Sequence, residues 1–545
     1  MRTPGAGQMN RFSPSRAPPK PTPTGILLVC FLALYLYLLT RHLGVGSLPW
    51  DESVHASSGL TILDTAPLLL TNSYAFFTEY LWRWPYYPPV YSFLEAASFM
   101  ALGISEFSAR IVSVLISIAG LAITYQLSKT LYNKTTALLS AIVLASMPVY
   151  FTESRSAILD VPACFFFTLT ISLFALGYTR RDERWVYLGG IILAVGFLTK
   201  YPVALAAPAV LLYLGLEAIS ARGRPNRNLR PTLLALLIAL CLSSVWIGVD
   251  LIGLEQWKAW LGTVQVGTKY EILPGLSEPS NWTWYAVDPK GGWIGQMSLT
   301  TAVLGGVSLL YAALRRREGD RLLLSWIVVV YLLLSLSHEK DPRYTMPYLP
   351  AFAILISAMI VDGCSAASTM LNKPFRKNAK PTITTMLSLA VVFLLTFQLF
   401  TGFYNVQPRQ TIPIREATKY LSENLNQGEN LAVLLITDTL NTNTVMFYMR
   451  VHRQTRDLQI FPYPDTPADL SSIREINVTE FSSLCKIRNV RYALIYMGAP
   501  WSETVLNQVL SDPSFSVEKV VDGGNRVKTI LILAFNFSPT IQSFE

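Results

Sequence analysis

Two adjacent carboxylates, Asp51 and Glu52, follow directly on the first apolar stretch of the chain. Pro49 and Trp50 precede them, and the loop that they open is rich in Trp and Tyr, which favour the headgroup level of a bilayer. Charged groups at a membrane boundary are costly to place without a function. A carboxylate held there could act as a general base, taking the proton of a hydroxyl that attacks an anomeric carbon. The alternative is an acidic pair that is only solvated.

Asp160 is a second candidate, because it stands at the outer end of a later apolar stretch. An ionisable residue at such a position is a functional candidate. Asp160 also precedes Val161 and Pro162, and an Asp before an early-helix Pro is typical of a helix N-cap. Both interpretations stay open, and one side chain can serve both roles.

A reaction that releases a phosphate needs positive charge directed at the leaving group. Five basic residues lie at the same ends of the apolar stretches: Arg110, Arg155, Lys200, Lys340 and Arg343. Arg110 and Lys200 stand where long side chains reach towards headgroups, which is the simpler explanation for them. Arg343 belongs to a compact charged turn, 338–344, on the face where a basic topological stop is not expected. A phosphate-binding role is therefore predicted for Arg343.

A metal site has weaker support. His55 and Glu79 could share a divalent metal ion with a neighbouring carboxylate. Two ligands of unknown separation indicate little, and four histidines in the whole chain offer few further ligands. The sequence therefore predicts no required cofactor, with a divalent metal ion kept as an alternative.

The elements that must position these residues are membrane helices. Of the 545 residues, 14% are charged and 51% are hydrophobic, whereas roughly 25% are charged in an average globular protein. Apolar stretches of about 20 residues, the length that crosses a hydrocarbon core, recur along the chain. This pattern predicts an α-helical polytopic membrane protein and excludes a soluble one.

Hydropathy predicts about eleven membrane spans between residues 24 and 404. They lie at 24–43, 108–131, 135–151, 161–179, 186–199, 201–219, 231–253, 295–314, 321–338, 345–362 and 383–404. The loop 44–110, which carries the two carboxylates, is predicted to form amphipathic helices on the membrane surface at 66–80 and 89–102.

The net charge of +9 comes largely from short basic clusters between the spans. This positive-inside pattern fixes orientation and gives no indication of a nucleic-acid partner. It places a disordered tail, 1–23, in the cytoplasm. Asp51, Asp160, Lys200 and the 338–344 turn then share the outer face. The sequence thus predicts a multi-pass protein of the plasma membrane that is surrounded by membrane lipids.

The last part of the chain, 405–545, has more charged residues and shorter apolar runs. An odd number of spans places it on the outer face. Alternating strands and helices predict a small extracytoplasmic α/β domain. The predicted strands are 430–436, 492–496 and 529–534, and the predicted helices are 414–425 and 500–510. Without a Gly-rich phosphate loop or a catalytic triad, a structural or acceptor-handling role is predicted.

The order of the motifs resembles the glycosyltransferase C superfamily, in the branch that contains protein O-mannosyltransferases and the lipid A aminoarabinose transferase. The resemblance covers about 24–404 and rests on motifs that keep their order along the chain. They are Asp51-Glu52, Tyr87-Pro88-Pro89-Val90-Tyr91, Gly103 to Arg110, Arg155 to Pro162, Gly196 to Pro202, and Pro342-Arg343-Tyr344 with Pro347 and Pro350.

The resemblance implies an inverting glycosyltransferase that moves a hexose or pentose from a polyprenyl-phosphate donor to a hydroxyl on the extracytoplasmic face. The acceptor could be a lipid, a glycan or a protein. The resemblance implies that Asp51 is the catalytic base, with Glu52 beside it, and that Asp160 shapes the acceptor side. Lys200 and Arg343 would hold the donor phosphate, and Arg110 and Arg155 are further candidates for this role. The residues implied to line the donor or acceptor cavity are Tyr87, Tyr344 and His55.

One position departs from this pattern. Related sequences often have Lys or His immediately before the Pro-Pro pair, and Tyr87 stands there. One phosphate contact is therefore missing or comes from elsewhere.

A transporter or flippase of lipid-linked sugars is the main alternative. Such a protein would favour inverted repeats and charged residues in the middle of spans. Neither is visible in the sequence, since the ionisable residues gather at the outer ends of the spans. A non-catalytic scaffold would leave the outer carboxylates and cations unexplained.

Overall fold

The computed structural model describes most of the chain. The described residues are 23–84, 87–220, 226–248, 277–289, 291–336, 340–371, 412–436, 439–453, 458–464, 474–523 and 528–536. The predicted tail at 1–23 lies outside them except for its last residue. The predicted span at 383–404 and the start of the charged turn at 338–344 also lie outside the described residues.

Long runs of apolar residues make the first part of the chain almost entirely helical. Its helices are α1 (Pro23–Thr40), α2 (Trp50–Thr71), α3 (Ser73–Arg83), α4 (Val90–Leu102), α5 (Glu106–Leu131), α6 (Lys134–Ala145), α7 (Pro148–Ser154), α8 (Asp160–Arg180), α9 (Glu183–Phe197), α10 (Ala206–Ser220), α11 (Leu229–Ile247), α12 (Pro279–Val287), α13 (Trp293–Met297), α14 (Leu299–Arg315), α15 (Glu318–Ser335) and α16 (Leu349–Leu371). Short 3₁₀ helices, Tyr201–Leu205 and Pro342–Tyr348, lead into α10 and α16.

Within the described residues, six helices are long and apolar enough to cross a membrane. They are Pro23–Thr40, Glu106–Leu131, Asp160–Arg180, Tyr201–Ser220, Leu229–Ile247 and Pro342–Ala367. The pair α6 and α7, bent by 70°, makes a seventh if it counts as one span. These helices confirm a multi-pass membrane protein, while the number of eleven stays a prediction. Of the other predicted spans, α14 has 17 residues, and α15 carries Glu318 and Asp320 in its first turn.

The segment between α1 and α5 differs in part from its prediction. The helix expected at 66–80 is divided between α2 and α3, because Asn72 leaves helical geometry and its side chain accepts a hydrogen bond from Ala75 N. The helix expected at 89–102 is α4. Gly103, with φ of +78°, ends α4 in a conformation that favours glycine. Ser105 then caps α5.

The core of the helical part is formed where α8 packs against α5 and α9, and where α6 packs against α16. Phe167 of α8 and Trp326 of α15 stack with ring centroids 5.2 Å apart. On the outside, leucines such as Leu310 and Leu314 are exposed. An apolar exterior around a packed interior is typical of helices that lie in lipid.

The C-terminal part forms a five-stranded sheet with helices. Its elements are α17 (Ile414–Asn424), β1 (Asn430–Leu434), α18 (Thr442–Arg453), β2 (Ile460–Tyr463), α19 (Val478–Ile487), β3 (Val490–Tyr496), α20 (Ser502–Leu510), β4 (Phe515–Val521) and β5 (Ile530–Phe535). The strand order is β2-β1-β3-β5-β4. β1 is parallel to β2 and β3, whereas β5 is antiparallel to β3 and β4.

The buried strands β1, β3 and β5 are the ones that the sequence predicts, because their apolar runs are continuous. The edge strands β2 and β4 are not predicted. The middle of β4 is exposed and carries Glu518 and Lys519, so its pattern resembles a loop. The sheet part packs on α2, where Ala56 and Leu60 share an apolar core with Leu421 and Phe447.

Candidate active site

Asp51 and Glu52 lie in the first turn of α2, which begins at Trp50, directly after Pro49. Two carboxylates at a helix N-terminus are stabilised by the helix dipole. Consecutive residues on a helix point about 100° apart, so the two side chains meet different surroundings. The Asp51 side chain is 38% exposed, whereas that of Glu52 is 2% exposed.

Glu52 forms a buried ion pair with Arg110. Arg110 Nη2 lies 2.7 Å from Glu52 Oε2, and Arg110 Nε donates to the same oxygen at 2.9 Å. The remaining N–H groups of Arg110 donate to the carbonyls of the loop before α2: Leu43, Val45, Gly46 and Ser47. Together, the Glu52 carboxylate and these carbonyls occupy all five N–H donors of the guanidinium. Arg110 therefore fixes the segment that leads to Asp51, which differs from the phosphate-binding role predicted for it.

Arg155 also binds backbone. It donates to the carbonyls of Leu38, Leu39 and Arg41 at distances of 2.7–3.0 Å, and its side chain is buried. Carbonyls at the end of a helix need such partners. Arg155 thus closes the C-terminal end of α1, and this too differs from the predicted contact with a donor phosphate.

Asp51 is bound by Arg343, 292 residues away in the sequence. Arg343 Nη1 donates to Asp51 Oδ2 at 2.7 Å. Arg343 Nε and Nη2 both donate to Asp341 Oδ2, at 3.0 and 2.8 Å. Asp341 also accepts from the backbone N–H of Arg343 at the start of the 3₁₀ helix. The guanidinium is therefore held between two carboxylates and remains 25% exposed.

Asp160 is the first residue of α8, whose N-cap is Leu159 and has no side-chain cap. The N-cap interpretation of Asp160 is therefore not the one observed. Asp160 Oδ1 instead accepts from Lys200 Nζ at 2.6 Å. The ammonium also lies 5.0 Å from the centroid of the Tyr344 ring. Lys200, Asp160 and Tyr344 are thus brought together.

His55 joins these two ion pairs into one site. It is buried, with its ring 4.8 Å from that of Tyr87 and 6.0 Å from that of Tyr91. Burial lowers the pKa of His55 to about 4, and four charges modulate it, Asp51 and Asp160 raising the pKa while Lys200 and Arg343 lower it. All four charges therefore lie near this one imidazole, and the two ion pairs are close to each other. The imidazole is neutral at neutral pH.

A cavity of about 320 Å³ opens at Asp51. Its polar lining consists of Asp51, Glu52, Glu153, Ser156 and Arg343. Glu153 and Ser156 are additions to the predicted set. Ser156 lies in the same motif as Asp160, and Glu153 lies two residues before that motif, but no feature of their sequence context separates them from solvated residues.

The metal alternative gains no geometric support in the described parts of the chain, where no three His, Cys, Asp or Glu side chains form a metal-binding group. Glu79 lines a different cavity from that of Asp51. A divalent metal ion stays a prediction.

The C-terminal part contacts the segment around Asp51 directly. Tyr448 Oη accepts from Leu48 N at 3.2 Å and donates to Glu106 Oε1 at 2.8 Å. Arg415 forms an ion pair with the same Glu106. Ser53, two residues after Asp51, receives a hydrogen bond from Thr444. Sequence reasoning missed these residues, because no local pattern links positions that are 309 to 400 residues apart.

Solved structures with this fold are known. ArnT from Cupriavidus metallidurans in the apo state matches with a TM-score of 0.63 and 16% identity, over 94% of this chain and 98% of that chain. The archaeal oligosaccharyltransferase AglB from Archaeoglobus fulgidus matches with a TM-score of 0.54 and 13% identity, over 86% of this chain and 69% of that chain. The chain thus shares the fold of these two proteins, which is the helical membrane fold that the resemblance predicts.

Sequence comparisons also match part of the chain. Residues 87–248 match the family model described as dolichyl-phosphate-mannose-protein mannosyltransferase. The undecaprenyl phosphate-alpha-4-amino-4-deoxy-L-arabinose arabinosyl transferase 1 of Pseudomonas fluorescens is 27% identical over 364 residues, which cover 64% of this chain and 61% of the relative. An uncharacterized protein of Aquifex aeolicus is 26% identical over 61% of this chain and 62% of its own length. The chain thus spans less than two thirds of these relatives.

Proposed function

We propose that this protein is an inverting glycosyltransferase, which moves a sugar from a polyprenyl-phosphate donor to a hydroxyl of a lipid, glycan or protein acceptor. The observation that carries the proposal is the convergence of Asp51, Arg343, Asp160 and Lys200 around His55. A base and two cations then face one site at the ends of apolar helices. The reaction needs this combination, because a proton is removed while a phosphate leaves.

Asp51 is the general base in this proposal. One of its carboxylate oxygens accepts from Arg343, and the other can take the acceptor proton. The acceptor oxygen forms the new bond to the anomeric carbon as the bond from that carbon to the phosphate oxygen breaks. The electron pair of the broken bond goes to the polyprenyl phosphate. Attack opposite the leaving group inverts the anomeric centre.

Arg343 and Lys200 stabilise the charge on the departing phosphate. Each is already oriented by a carboxylate, so little reorganisation is needed when the donor binds. The polyprenyl-phosphate donor has support from two comparisons. ArnT from Cupriavidus metallidurans, which shares this fold at 16% identity, has a crystal structure with bound undecaprenyl phosphate, and several relatives are undecaprenyl-phosphate aminoarabinose transferases by name. The acceptor and the sugar remain part of the proposal.

Orientation completes the proposal. The positive-inside pattern places the N-terminus in the cytoplasm and the site and the sheet part on the extracytoplasmic face of the plasma membrane. Donor tails then lie among the apolar helices, and the acceptor approaches from the outer face.

The test is a transfer assay on the purified full chain in detergent, with a panel of polyprenyl-phosphate sugars and product mass analysis. We expect Asp51→Asn to lower kcat by about 10²–10⁴-fold, the usual worth of a positioned base, while donor binding is retained. Asp522→Asn, at an exposed position of the sheet part, is the matched control and should leave kcat unchanged. Near-normal transfer by folded Asp51→Asn would remove the base. Donor translocation without release of polyprenyl phosphate would indicate the transporter alternative.

A further inference from the structure

A second, larger cavity of about 1040 Å³ lies between the helical part and the sheet part. One wall consists of the second half of α2 with α3, and the other of α18 and β2. Its volume is at the upper end of ligand pockets, which span about 300–1,000 Å³. Asp64 of this cavity stands 13 positions after Asp51 on α2, roughly 20 Å along the helix axis at 1.5 Å per residue. The mechanism above makes no use of this space.

The polar lining of the cavity offers both donors and acceptors. Asp64 and Glu79 supply carboxylates, and Asn443 and Gln459 supply side-chain amides. Arg450 Nη2 donates to Asp64 Oδ1 at 2.5 Å. Arg450 Nε is buried and has no hydrogen-bond partner among the described residues. A buried donor without a partner is costly.

Aromatic and apolar side chains complete the walls. Trp84 donates from Nε1 to Thr61 Oγ1 at 2.9 Å, which fixes the orientation of the indole. Phe461 and Met446 also line the cavity. Flat apolar surfaces together with convergent carboxylates and amides suit a ligand that has both C–H faces and many hydroxyls. A sugar chain has this chemistry.

The charge of the lining restricts the ligand further. The charged lining residues are two carboxylates, Asp64 and Glu79, and one guanidinium, Arg450. The lining therefore carries a net charge of −1. Such a surface repels anionic ligands. Neutral or amino-substituted sugars fit the site, and phosphorylated or sulfated ones do not.

We propose that this cavity binds a saccharide segment of the acceptor, made of neutral or amino-substituted sugars, while another part of the same acceptor reaches Asp51. This inference rests on the proposed transferase function and adds the class of acceptor. The sheet part then recognises the acceptor jointly with α2. A long acceptor is required, because the two cavities are separated along α2.

The first experiment measures binding of maltotetraose, a glucosamine tetramer and a sulfated tetrasaccharide to the full chain. Asn443→Trp fills the cavity, because Asn443 lines it at the start of α18. The Ser57 hydroxyl donates to the backbone carbonyl of Asn443, and the substitution keeps this carbonyl. Asn507→Trp, exposed on α20, is the matched control. We expect maltotetraose or the glucosamine tetramer to bind, the sulfated one not to bind, and Asn443→Trp alone to weaken binding at least tenfold. No tetrasaccharide binding, or binding insensitive to Asn443→Trp, would overturn the inference.

The second measurement separates this inference from the proposed function. Hydrolysis of a polyprenyl-phosphate sugar by water, without an acceptor, should persist in Asn443→Trp and be lost in Asp51→Asn. Saccharide binding without any donor cleavage would contradict the transferase function and leave a saccharide site. Donor cleavage without saccharide binding would contradict the inference alone.

Discussion

The outer ends of the helices hold two sets of charged side chains that look alike in the sequence. The anchoring set, Glu52, Arg110 and Arg155, is buried and binds mainly backbone carbonyls or its own partner. The site set, Asp51, Lys200 and Arg343, is 20–38% exposed. The difference shows that a charge near a membrane boundary can serve either to fix the chain or to meet a substrate. Burial and the identity of its partner distinguish the two.

The two sets also differ in what their loss would cost. Removing one partner of a buried ion pair leaves an uncompensated charge, which destabilises a protein by about 3–5 kcal/mol. An ion pair that is partly exposed contributes about 0–1 kcal/mol. The anchoring set should therefore be sensitive in stability, and the site set in activity.

The largest expected effect comes from replacing Arg110 by Met, compared with the same replacement at Arg343. Arg110→Met should lower the free energy of unfolding by about 3–5 kcal/mol, because Glu52 stays buried without a partner. Arg343→Met should change stability little and weaken binding of a polyprenyl-phosphate sugar. Thermal melting in detergent and a donor-binding assay measure both. If Arg343→Met melted as early as Arg110→Met, the comparison would fail. The double variant Glu52→Gln/Arg110→Met should recover part of the loss.

The next effect concerns His55, which is buried like the anchoring set and surrounded by the site set. The folded protein binds this proton only near its lowered pKa of about 4, whereas the unfolded chain binds it near 6.5. The unfolded state therefore holds more protons between these values, and stability falls as the pH drops through that window. Over about 2.5 pH units the loss approaches about 3 kcal/mol.

Melting temperatures from pH 4 to 8 test this expectation. His55→Gln should lack the part of the acid destabilisation that His55 causes. Because carboxylates also titrate in acid, the informative quantity is the difference between the two pH profiles. Parallel profiles would show that the imidazole accepts a proton in the folded state as easily as in the unfolded one.

The smallest expected effect comes from the contact between the sheet part and the segment that leads to Asp51. Tyr448→Phe removes the hydroxyl that Leu48 N and Glu106 share. A hydrogen bond to a charged group is worth about 1.5–3 kcal/mol, and we expect a loss near the lower limit. Thermal melting and kcat measure this effect. We expect kcat to fall as well, because the segment before Asp51 becomes less firmly held. Tyr492→Phe in β3 is the control, and an equal effect there would indicate general loss of packing.

The sequence brings the site set together more readily than it explains the anchoring set, and the reason is physical. Asp51, Lys200 and Arg343 could be singled out because charges at span ends are few, and sidedness alone brings them to one boundary. The role of Arg110 could not be found in this way. Whether its guanidinium turns towards a phosphate or towards four carbonyls depends on the path of the loop before α2, which no local pattern encodes.

The fold shows the same division. Continuous apolar runs gave the spanning helices and the buried strands β1, β3 and β5. The edge strands β2 and β4 and the helices α18 and α19 were missed. β2 has only four residues and contains Pro462, which is unfavourable in a strand, and the middle of β4 is exposed and charged like a loop. The cavity between α2 and α18 could not be predicted from the sequence either. It lies where α2 packs against the sheet part, a contact to which Ala56 and Leu60 contribute.

The hydrogen bond from Leu48 to Tyr448 joins residues 400 positions apart. A ribosome therefore delivers the start of α2 long before it delivers the hydroxyl that this backbone amide requires. Until the part of the chain around Tyr448 has been made and folded, the segment that leads to Asp51 lacks this partner. A nascent or truncated chain can thus be inserted in the membrane and still not have its site in the final geometry.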